Sequence, residues 1–423
     1  MHVTGSLCSR LLATLQTCTR GNFFGQAMNV VRIRHLENAI NHFEKSVGVD
    51  NSFRCSIESH LRSYHAAHKS QLSKVDKEWL SDKFKDIYRW KSLIDHFSME
   101  PRSVANLLRV YLGDSNWRAY AHSKVLPEHT RLSLPTSLFE ALSKQYGKEK
   151  AREIAGIYNE STPVFLRVNR RVSSRDEVLK VINGAGIPAE ASSHSETGLK
   201  VSRSPKLVDL DILKTHACEF QDEAFQIVGK QISDLILSTD SSTPVKVLDF
   251  CAGSGGKSLV FGPTLRGKGH LFINDVNMKY LHQARMKMKA AKIPNFTAIT
   301  DPSQLNRLRG KMDFVLVDPP STSSGQYRRY PERKWLYSEE ASAQSVIRQQ
   351  EIFKQALQYL KRDGKIIYSV SSILSCETWE QLKFFCDNHK LFLSYEPVHS
   401  LPVSHGMDGF FCAIMERQSR KIN

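Results

Sequence analysis

Residues 246–250 read KVLDF, and the chain continues from them directly into CAGSGGKS at 251–258. A short apolar run that enters a glycine-rich turn is typical of the first strand and loop of an α/β sheet that binds a nucleotide-like ligand. Three further apolar runs follow at 270–275, 312–318 and 364–370. Helical patterns separate these runs, and the alternation predicts a parallel sheet whose ligand lies beyond the carboxyl ends of the strands.

The glycine loop completes neither of two common phosphate-binding patterns. A triphosphate loop, G-x-x-x-x-G-K-[ST], needs glycine where Cys251 stands, and a dinucleotide loop, G-x-G-x-x-G, that begins at Gly253 needs glycine where Ser258 stands. An adenosyl cofactor without phosphates fits better. Glycines let the backbone approach such a ligand closely, and exposed amides at the start of a helix can hold its carboxylate.

Acidic residues follow three successive strands after this loop. Asp275 can accept hydrogen bonds from both ribose hydroxyls, Asp301 from an adenine amino group, and Asp318 lies where the reacting centre is expected. One acid at a strand end is usually a cap or turn residue. Three in succession after a glycine loop indicate S-adenosylmethionine as the cofactor.

The flanking sequence predicts a multidomain chain. Apolar residues recur every three or four positions through 79–97, and we expect a helical domain over 37–158. Short strand, helix and strand patterns predict a small α+β domain over 159–218, either an RNA-binding domain or a linker domain. A Rossmann-like domain that carries the glycine loop follows over 219–423. Residues 1–36 contain four arginines and no acid, which predicts either an organellar transit peptide or a disordered N-terminus.

Charge and composition narrow the function classes. Lys and Arg exceed Asp and Glu by 59 to 43, giving a net charge of +16 that favours a polyanionic partner such as RNA. No apolar run is long enough for a membrane span. The eight cysteines show neither C-x-x-C nor zinc spacing, so we expect no metal and a reducing, intracellular compartment, either the cytoplasm or the mitochondrial matrix. A soluble monomer is expected.

Residues 130–417 resemble the Sun/Fmu family of RNA cytosine-carbon-5 methyltransferases. The resemblance rests on LPTSLFEALSKQYG (134–147), LRVN (166–169), QDEAFQ (221–226), LDFCAGSGGKS (248–258), GQYRRYPERKW (325–335) and DGFFCAIMER (408–417). It implies S-adenosylmethionine as cofactor and RNA, in particular ribosomal RNA, as partner. One family feature is missing, because Tyr280 stands where the family has an arginine five residues after the ribose acid.

The resemblance also implies which residues form the site. The cofactor would be bound by Cys251, Ala252, Gly253, Ser254, Gly255, Gly256, Lys257, Asp275, Asp301 and Asp318, with Lys257 paired to its carboxylate. RNA would contact Arg328, Arg329, Arg333, Lys334 and Trp335, through guanidiniums on phosphates and an aromatic ring on unstacked bases.

The catalytic motifs depart from the family at both cysteines. The family nucleophile, which attacks cytosine carbon 6, is replaced by Ser371 in YSVSSI, and the cysteine that assists product release is replaced by Ser321 in DPPSTSSG. A serine hydroxyl needs an adjacent base to attack, whereas a thiol ionises readily near neutral pH. Cys376, five residues after Ser371, offers a shifted nucleophile, although an inert, partly buried thiol is the simpler interpretation.

Three hypotheses therefore remain open from the sequence. The chain is an RNA methyltransferase that acts through the positions of Ser371, Ser321 and Asp318, or it is a non-catalytic RNA-binding factor, for instance in ribosome assembly, on the same fold. The third hypothesis is a methyltransferase of base amino groups, since Asp318-Pro319-Pro320 resembles the [D/N]-P-P motif of such enzymes. An aromatic residue usually follows that motif, and Ser321 stands there instead.

Overall fold

The structure is a computed structural model that describes residues 23–46, 56–98, 100–113, 116–240 and 242–417. The chain forms two compact units, one comprising residues up to Asn159 together with Tyr327–Tyr337, and the other comprising Glu160–Gln326 together with the chain from Ser338 onward. Most of the predicted transit segment, residues 1–22, lies outside the described residues. Its last part belongs to a helix that begins at Phe23.

The first unit is helical. Serine caps begin several of its helices, and Ser73 forms a reciprocal capping box with Asp76. Apolar side chains on the inner helix faces, among them Leu36, Phe84 and Ile94, form one buried core. The helices are α1 (Phe23–Glu44), α2 (Ile57–Ala67), α3 (Lys74–Arg89), α4 (Lys91–Phe97), α5 (Val104–Leu112), α6 (Glu128–Arg131), α7 (Thr136–Tyr146) and α8 (Lys148–Tyr158).

The segment Tyr327–Tyr337 belongs to this helical unit, although the sequence predicts it within the methyltransferase domain. Lys334 is fully buried, and its ammonium donates to the Arg89 carbonyl at 2.6 Å and to Asn159 Oδ1 at 3.0 Å. The Trp335 indole donates to the Tyr88 carbonyl at 2.8 Å, and Glu332 accepts from the Ile57 amide at 3.2 Å. The segment is therefore fastened to α2 and α3 by buried hydrogen bonds.

A small α+β subdomain begins the second unit. Its sheet has the order β2-β3-β1-β4, and every neighbouring pair is antiparallel. Helix α9, capped by Ser174, packs Val178 and Ile182 against the sheet. The elements are β1 (Val164–Val168), α9 (Arg175–Gly184), β2 (Ala189–Ala191), β3 (Gly198–Val201), α10 (Asp211–Lys214) and β4 (Cys218–Phe220).

The remaining second unit is built on one large sheet of order β10-β12-β9-β8-β5-β6-β7, with β11 paired to β12. Strands β5 to β9 run parallel, whereas β12 is antiparallel to β9. The strands are β5 (Val245–Asp249), β6 (Gly269–Ile273), β7 (Phe296–Ala298), β8 (Met312–Val317), β9 (Leu360–Val370), β10 (Leu391–Leu393), β11 (Val398–Ser400) and β12 (Phe410–Arg417). The four predicted strands of this domain are present.

Helices cover both faces of the large sheet and enclose two apolar cores. One core joins Ile232 and Leu281 to β5 and β6, and the other joins Phe353 and Phe385 to β8 and β9. The helices are α11 (Glu223–Ser238), α12 (Ser258–Phe261), α13 (Met278–Ala290), α14 (Pro302–Asn306), α15 (Glu339–Ala356) and α16 (Trp379–His389). The predicted fold class, a Rossmann-like domain preceded by helical and α+β regions, is confirmed.

Within the described ranges, every helix is too short or too polar to cross a membrane.

Buried histidines make the stability of the helical unit depend on pH. Burial lowers the pKa of His35 and of His60 below the usual 6.5, and the positive charge of His68 lowers that of His35 further. Both rings are held between α1 and α2, His35 beside the Tyr64 hydroxyl at 3.0 Å and His60 beside the Ala39 carbonyl at 2.9 Å. The unfolded chain therefore binds protons more readily than the folded chain does.

The pKa values of these two histidines are lower in the folded chain than in the unfolded chain. Their contribution to stability is therefore fully present above the unfolded-state pKa, and it is lost as pH falls through the folded-state pKa. We expect the thermal midpoint to fall between about pH 7.5 and about pH 5. Tryptophan fluorescence reports this, since all but Trp379 of the five tryptophans lie in the helical unit. His60→Gln should show a smaller decrease than wild type, and an equal decrease would contradict the assignment.

Candidate active site

The candidate site lies at the carboxyl edge of the large sheet. Strand β5 pairs with β6 on one side and with β8 on the other, so the strand order switches direction at β5. Loops that leave adjacent strands in opposite directions open a crevice at such a point. The predicted site residues Gly253, Asp275 and Asp318 follow these three strands.

The glycine loop after β5 is shaped by positive backbone angles. Gly253 has a φ of +53° and Gly255 a φ of +83°, conformations that other residues rarely adopt. A Cβ on Gly255 would also lie 3.1 Å from the Ala284 Cβ and 3.3 Å from its backbone Cα, so glycine allows close packing against α13. At Gly253 a Cβ would meet no other atom within 4 Å, which leaves room beside the backbone.

Asp275 holds this loop in place. Its carboxylate accepts from the Gly253 amide at 2.8 Å and from the Asn277 amide at 2.7 Å, which fixes its orientation at the end of β6. A carboxylate oxygen has two lone pairs, so Asp275 keeps acceptor capacity for a ligand. The residue is therefore placed as the ribose-binding role requires.

Asp301 caps a helix. Its carboxylate accepts from the amide and the hydroxyl of Ser303 at 2.9 and 2.6 Å, which begins α14 and lowers its pKa. The side chain is exposed. The predicted adenine contact of Asp301 remains a prediction, and the cap accounts for the side chain's position without a ligand.

Lys257 and Asp318 form an ion pair across the crevice. The lysine is 6% exposed, and its ammonium lies 4.4 Å from the centre of the Phe225 ring. Little water reaches this lysine, so its interaction with the Asp318 carboxylate is stronger than a surface pair would be. The predicted pairing of Lys257 with a cofactor carboxylate would add a second anion beside Asp318.

Asp249, which the sequence analysis does not single out, is buried at the end of β5. It accepts from the Ser258 hydroxyl at 2.6 Å, while its other oxygen makes no hydrogen bond to a described residue. Burial raises the pKa of this carboxyl to about 7. Burial likewise raises the pKa of the Cys251 thiol well above its usual value, so Cys251 is not a thiolate.

The two serine-bearing segments of the family motifs lie together. The Gly325 amide donates to the Ser371 carbonyl at 3.0 Å, and the hydroxyls of Ser324 and Ser372 are 2.8 Å apart. Ser321 accepts from the Ser323 amide at 3.1 Å in a local turn. Backbone and side-chain hydrogen bonds thus bring together the two segments that contain Ser321 and Ser371.

A buried carboxylate, Glu377, joins these segments. It is fully buried and accepts from the amide and hydroxyl of Thr322 and, at 2.6 Å, from the hydroxyl of Ser372. Ser345 and Gln349 donate to it as well, at 2.8 and 2.9 Å. Glu377 could not be identified from the sequence, because nothing in its spacing shows that hydrogen-bond donors from three separate segments converge on it.

The Ser371 hydroxyl forms no hydrogen bond to any described residue, so no side chain is in place there as a hydrogen-bonded base. His389 instead packs on the rings of Phe353 and Phe385, and His405 is exposed. The thiol of Cys376 lies 3.4 Å from the Ser342 hydroxyl, and burial raises its pKa. Burial thus disfavours the thiolate of Cys376.

The predicted RNA-contacting segment needs a correction. Arg328 and Lys334 are both completely buried in the helical unit, and burial lowers the pKa of Lys334 well below its usual value. Neither side chain is at a surface where RNA phosphates could reach it. Arg329, Arg333 and Trp335 are partly exposed, so the prediction of RNA contact now applies to these three residues alone. The Arg333 guanidinium lies over the Tyr330 ring, 4.6 Å from its centre.

Comparison with known proteins agrees with this geometry. Residues 236–416 match the model of the 16S rRNA methyltransferase RsmB/F family, and residues 134–207 match the ferredoxin-like domain of RsmF/B-like methyltransferases. Together the two matches cover more than half of the chain. The chain belongs to the RsmB/F methyltransferase family. The α+β subdomain is accordingly the ferredoxin-like domain of the family.

Curated relatives carry the same family name. The ribosomal RNA small subunit methyltransferase B of Photorhabdus laumondii is 26% identical over 293 residues, which are 67% of this chain and 66% of that protein. The probable enzyme of the same name from Bacillus subtilis is 26% identical over 312 residues, covering 68% and 67%. The chain thus spans about two thirds of the length of these relatives.

Solved structures share the fold. The crystal structure of PH0851 has a TM-score of 0.71 at 20% identity and covers 92% of this chain and 98% of that one. NSun6 from Pyrococcus horikoshii with SFG has a TM-score of 0.57 at 17% identity and covers 67% and 98%. At these identities the likeness establishes the architecture of this RsmB/F member.

Membership of the RsmB/F family implies S-adenosylmethionine as the cofactor. The residues present fit it: the backbone at Gly253 is open, Asp275 is oriented at the end of β6, and a buried Asp249 oxygen faces no partner among the described residues. When bound, the cofactor supplies an electrophilic methyl group. Residues 251–257, with Asp275 and Asp318, would hold it.

Replacing Asp275 should weaken cofactor binding. Asp275→Ala removes a charged acceptor for the ribose and also frees the Gly253 amide. Each charge-assisted hydrogen bond contributes about 1.5–3 kcal/mol, so the dissociation constant for S-adenosylmethionine should rise at least roughly tenfold. Calorimetry measures this, with Asp211→Ala, an exposed acid paired with Lys214, as the matched control. Equal affinities of Asp275→Ala and wild type would disprove the ribose role.

Replacing Glu377 should destabilise the second unit. Glu377→Ala leaves several buried donors without an acceptor, and each costs about 1–3 kcal/mol. We expect the free energy of unfolding to fall by at least about 2 kcal/mol in urea titrations followed by circular dichroism. Glu380→Ala, at an exposed position near the start of α16, three residues further along the chain, is the control and should unfold like wild type. If the two variants unfolded at the same urea concentration, the network would not carry this stability.

Proposed function

We propose that this chain is an S-adenosylmethionine-dependent methyltransferase of RNA, with ribosomal RNA as its substrate. The observation that carries the proposal is the arrangement of the carboxyl edge, where the glycine loop, Asp275 and the Lys257–Asp318 pair surround one crevice. The net charge of +16 supports an RNA partner. The names of the curated relatives support ribosomal RNA in particular.

The residues assigned to substrate chemistry are those of the two joined motifs. Asp318 lies at the end of β8, next to the strand that carries the cofactor loop, and Ser321 and Ser371 occupy the family's cysteine positions. The shared hydrogen bonds of Glu377 keep these segments together. A monomer in the cytoplasm or the mitochondrial matrix is part of the proposal.

A second candidate function is binding of RNA and cofactor without methyl transfer, as in a ribosome-assembly factor. The observation that favours it is the Ser371 hydroxyl, which has no hydrogen-bonded base among the described residues. A serine hydroxyl without a base is a poor nucleophile at neutral pH. Such a protein would retain the fold and the cofactor crevice and lack the covalent step.

The deciding experiment incubates the full chain with labelled S-adenosylmethionine and a small-subunit ribosomal RNA transcript, followed by mass spectrometry of the nucleosides. We expect label in the RNA. A 5-methylcytosine product identifies the family reaction, whereas a base methylated on its amino group assigns the acceptor chemistry to Asp318-Pro319-Pro320. RNA and cofactor binding without any incorporation would replace the proposal by the second candidate.

A covalent trap tests the serine positions directly. RNA containing 5-azacytidine retains enzymes that attack carbon 6. We expect no denaturant-stable adduct with wild type, because no described residue is hydrogen-bonded to the Ser371 hydroxyl to ionise it. Ser371→Cys should acquire an adduct, with Ser371→Ala as the matched control. An adduct of wild type that maps to Ser371 would contradict the loss of the nucleophile. One that maps to Cys376 would show that this thiol has taken over the role.

A further inference from the structure

Helix α13 presents a strongly basic surface. Between Asp275 and Asp301 the chain has no acidic residue, but it has five cations: Lys279, Arg285, Lys287, Lys289 and Lys292. Leu281, Ala284 and Met288 form the buried face of the helix, so the cations lie on its outer faces. All of the five except the partly buried Lys287 are exposed.

A second group of cations lines a cleft in the ferredoxin-like subdomain. Arg170, Arg171 and Arg175 border an open cleft of about 550 Å³, with Asp176 and Glu196 as its acidic members. Arg170 pairs with Glu196 at 3.0 Å, but both side chains are more than half exposed, so water and salt screen this pair. The Nε atom of Arg171 is buried and donates to no acceptor among the described residues.

A buried side chain joins the cleft to α13. Asn169 is 2% exposed, and its amide group donates to the Ala291 carbonyl, just after α13, at 3.2 Å. Its carbonyl oxygen accepts from the Arg171 amide at 3.1 Å. This hydrogen bond brings the arginines that follow Asn169 close to the lysine that follows Ala291. The two basic groups therefore form one surface within the second unit.

The same surface reaches the cofactor loop. Lys287 donates to the Ser254 hydroxyl at 3.4 Å, and the backbone of Gly255 packs against Ala284 and Met288. From there to Ala291 the helix advances by one to two turns, about 5–11 Å. Cations thus extend from the edge of the cofactor crevice to the arginine cleft, a spacing that suits a chain of phosphates better than a single small anion.

We propose that this surface, comprising Arg170, Arg171, Arg175, Lys289 and Lys292, binds the phosphate backbone of the RNA. The inference rests on the proposed function, and it assigns backbone contact to the ferredoxin-like subdomain and α13. Arginine forks pair with phosphate oxygens through two parallel hydrogen bonds, and the open cleft is bordered by three arginines. Phosphate contacts of this kind position RNA without reading its sequence.

The test compares two triple variants of the full chain that change the charge equally. The first is Arg170→Gln, Arg171→Gln and Arg175→Gln. The control is Lys354→Gln, Arg362→Gln and Lys383→Gln, three exposed cations on α15, β9 and α16, on the opposite side of β5 from α13. Fluorescence anisotropy with a labelled small-subunit ribosomal RNA fragment, over a series of KCl concentrations, gives the affinity and its salt dependence.

We expect the cleft variant to bind RNA at least about tenfold more weakly than the control variant does. The slope of log affinity against log salt concentration should decrease in magnitude by about two, since each phosphate that is no longer neutralised contributes roughly 0.7–0.9. Unchanged affinity for S-adenosylmethionine, measured by calorimetry, shows that the variant is folded. Equal weakening in both variants would overturn the proposal, since net charge alone would then explain it. If the cleft variant binds RNA as tightly as wild type does, the proposed surface is wrong and the proposed function stands. If wild type itself binds no RNA, the proposed function is wrong as well.

Discussion

The parallel pairing of β5 with β6 and β8 is the constraint on which the site depends. Beyond the strand itself the pairing continues into the loop, because the Phe250 amide donates to the Leu316 carbonyl and the Ala252 amide to the Asn274 carbonyl, both at 2.9 Å. The backbone of the glycine loop is thus fixed by both neighbouring strands before its side chains contribute. Asp275 and Asp318 are brought to the same crevice because they follow those two neighbours.

The hydrogen bonds that join the two motif segments use neither the Ser321 nor the Ser371 hydroxyl. Glu377 is hydrogen-bonded to both segments through Thr322 and Ser372, and Gln349 extends the network to the Pro320 carbonyl at 3.2 Å. Buried donors and acceptors satisfy one another here, so the network holds the segments together through their neighbouring residues.

Much of this arrangement could be predicted from the sequence, because local signals carry it. Apolar runs located β5, β6, β8 and β9, and the glycines and the acid after β6 located the cofactor crevice. The burial of Lys334 was not predictable, since its acceptors are the Arg89 carbonyl and Asn159, far away in the chain. A run of basic residues looks the same in sequence whether its members face water or fill a core. Asp249 and Glu377 were missed for a related reason: their importance comes from burial and partners that only the fold supplies.

The membership of Tyr327–Tyr337 in the helical unit has a consequence for how the protein is made. The helices up to Asn159 emerge from the ribosome long before this segment does, and until it arrives the Arg89 and Tyr88 carbonyls lack the Lys334 and Trp335 donors that satisfy them. The N-terminal unit therefore completes its core only after most of the second unit has been synthesised. Completion of the two units therefore does not follow a strict order from the N-terminus, the usual order for a chain of several domains.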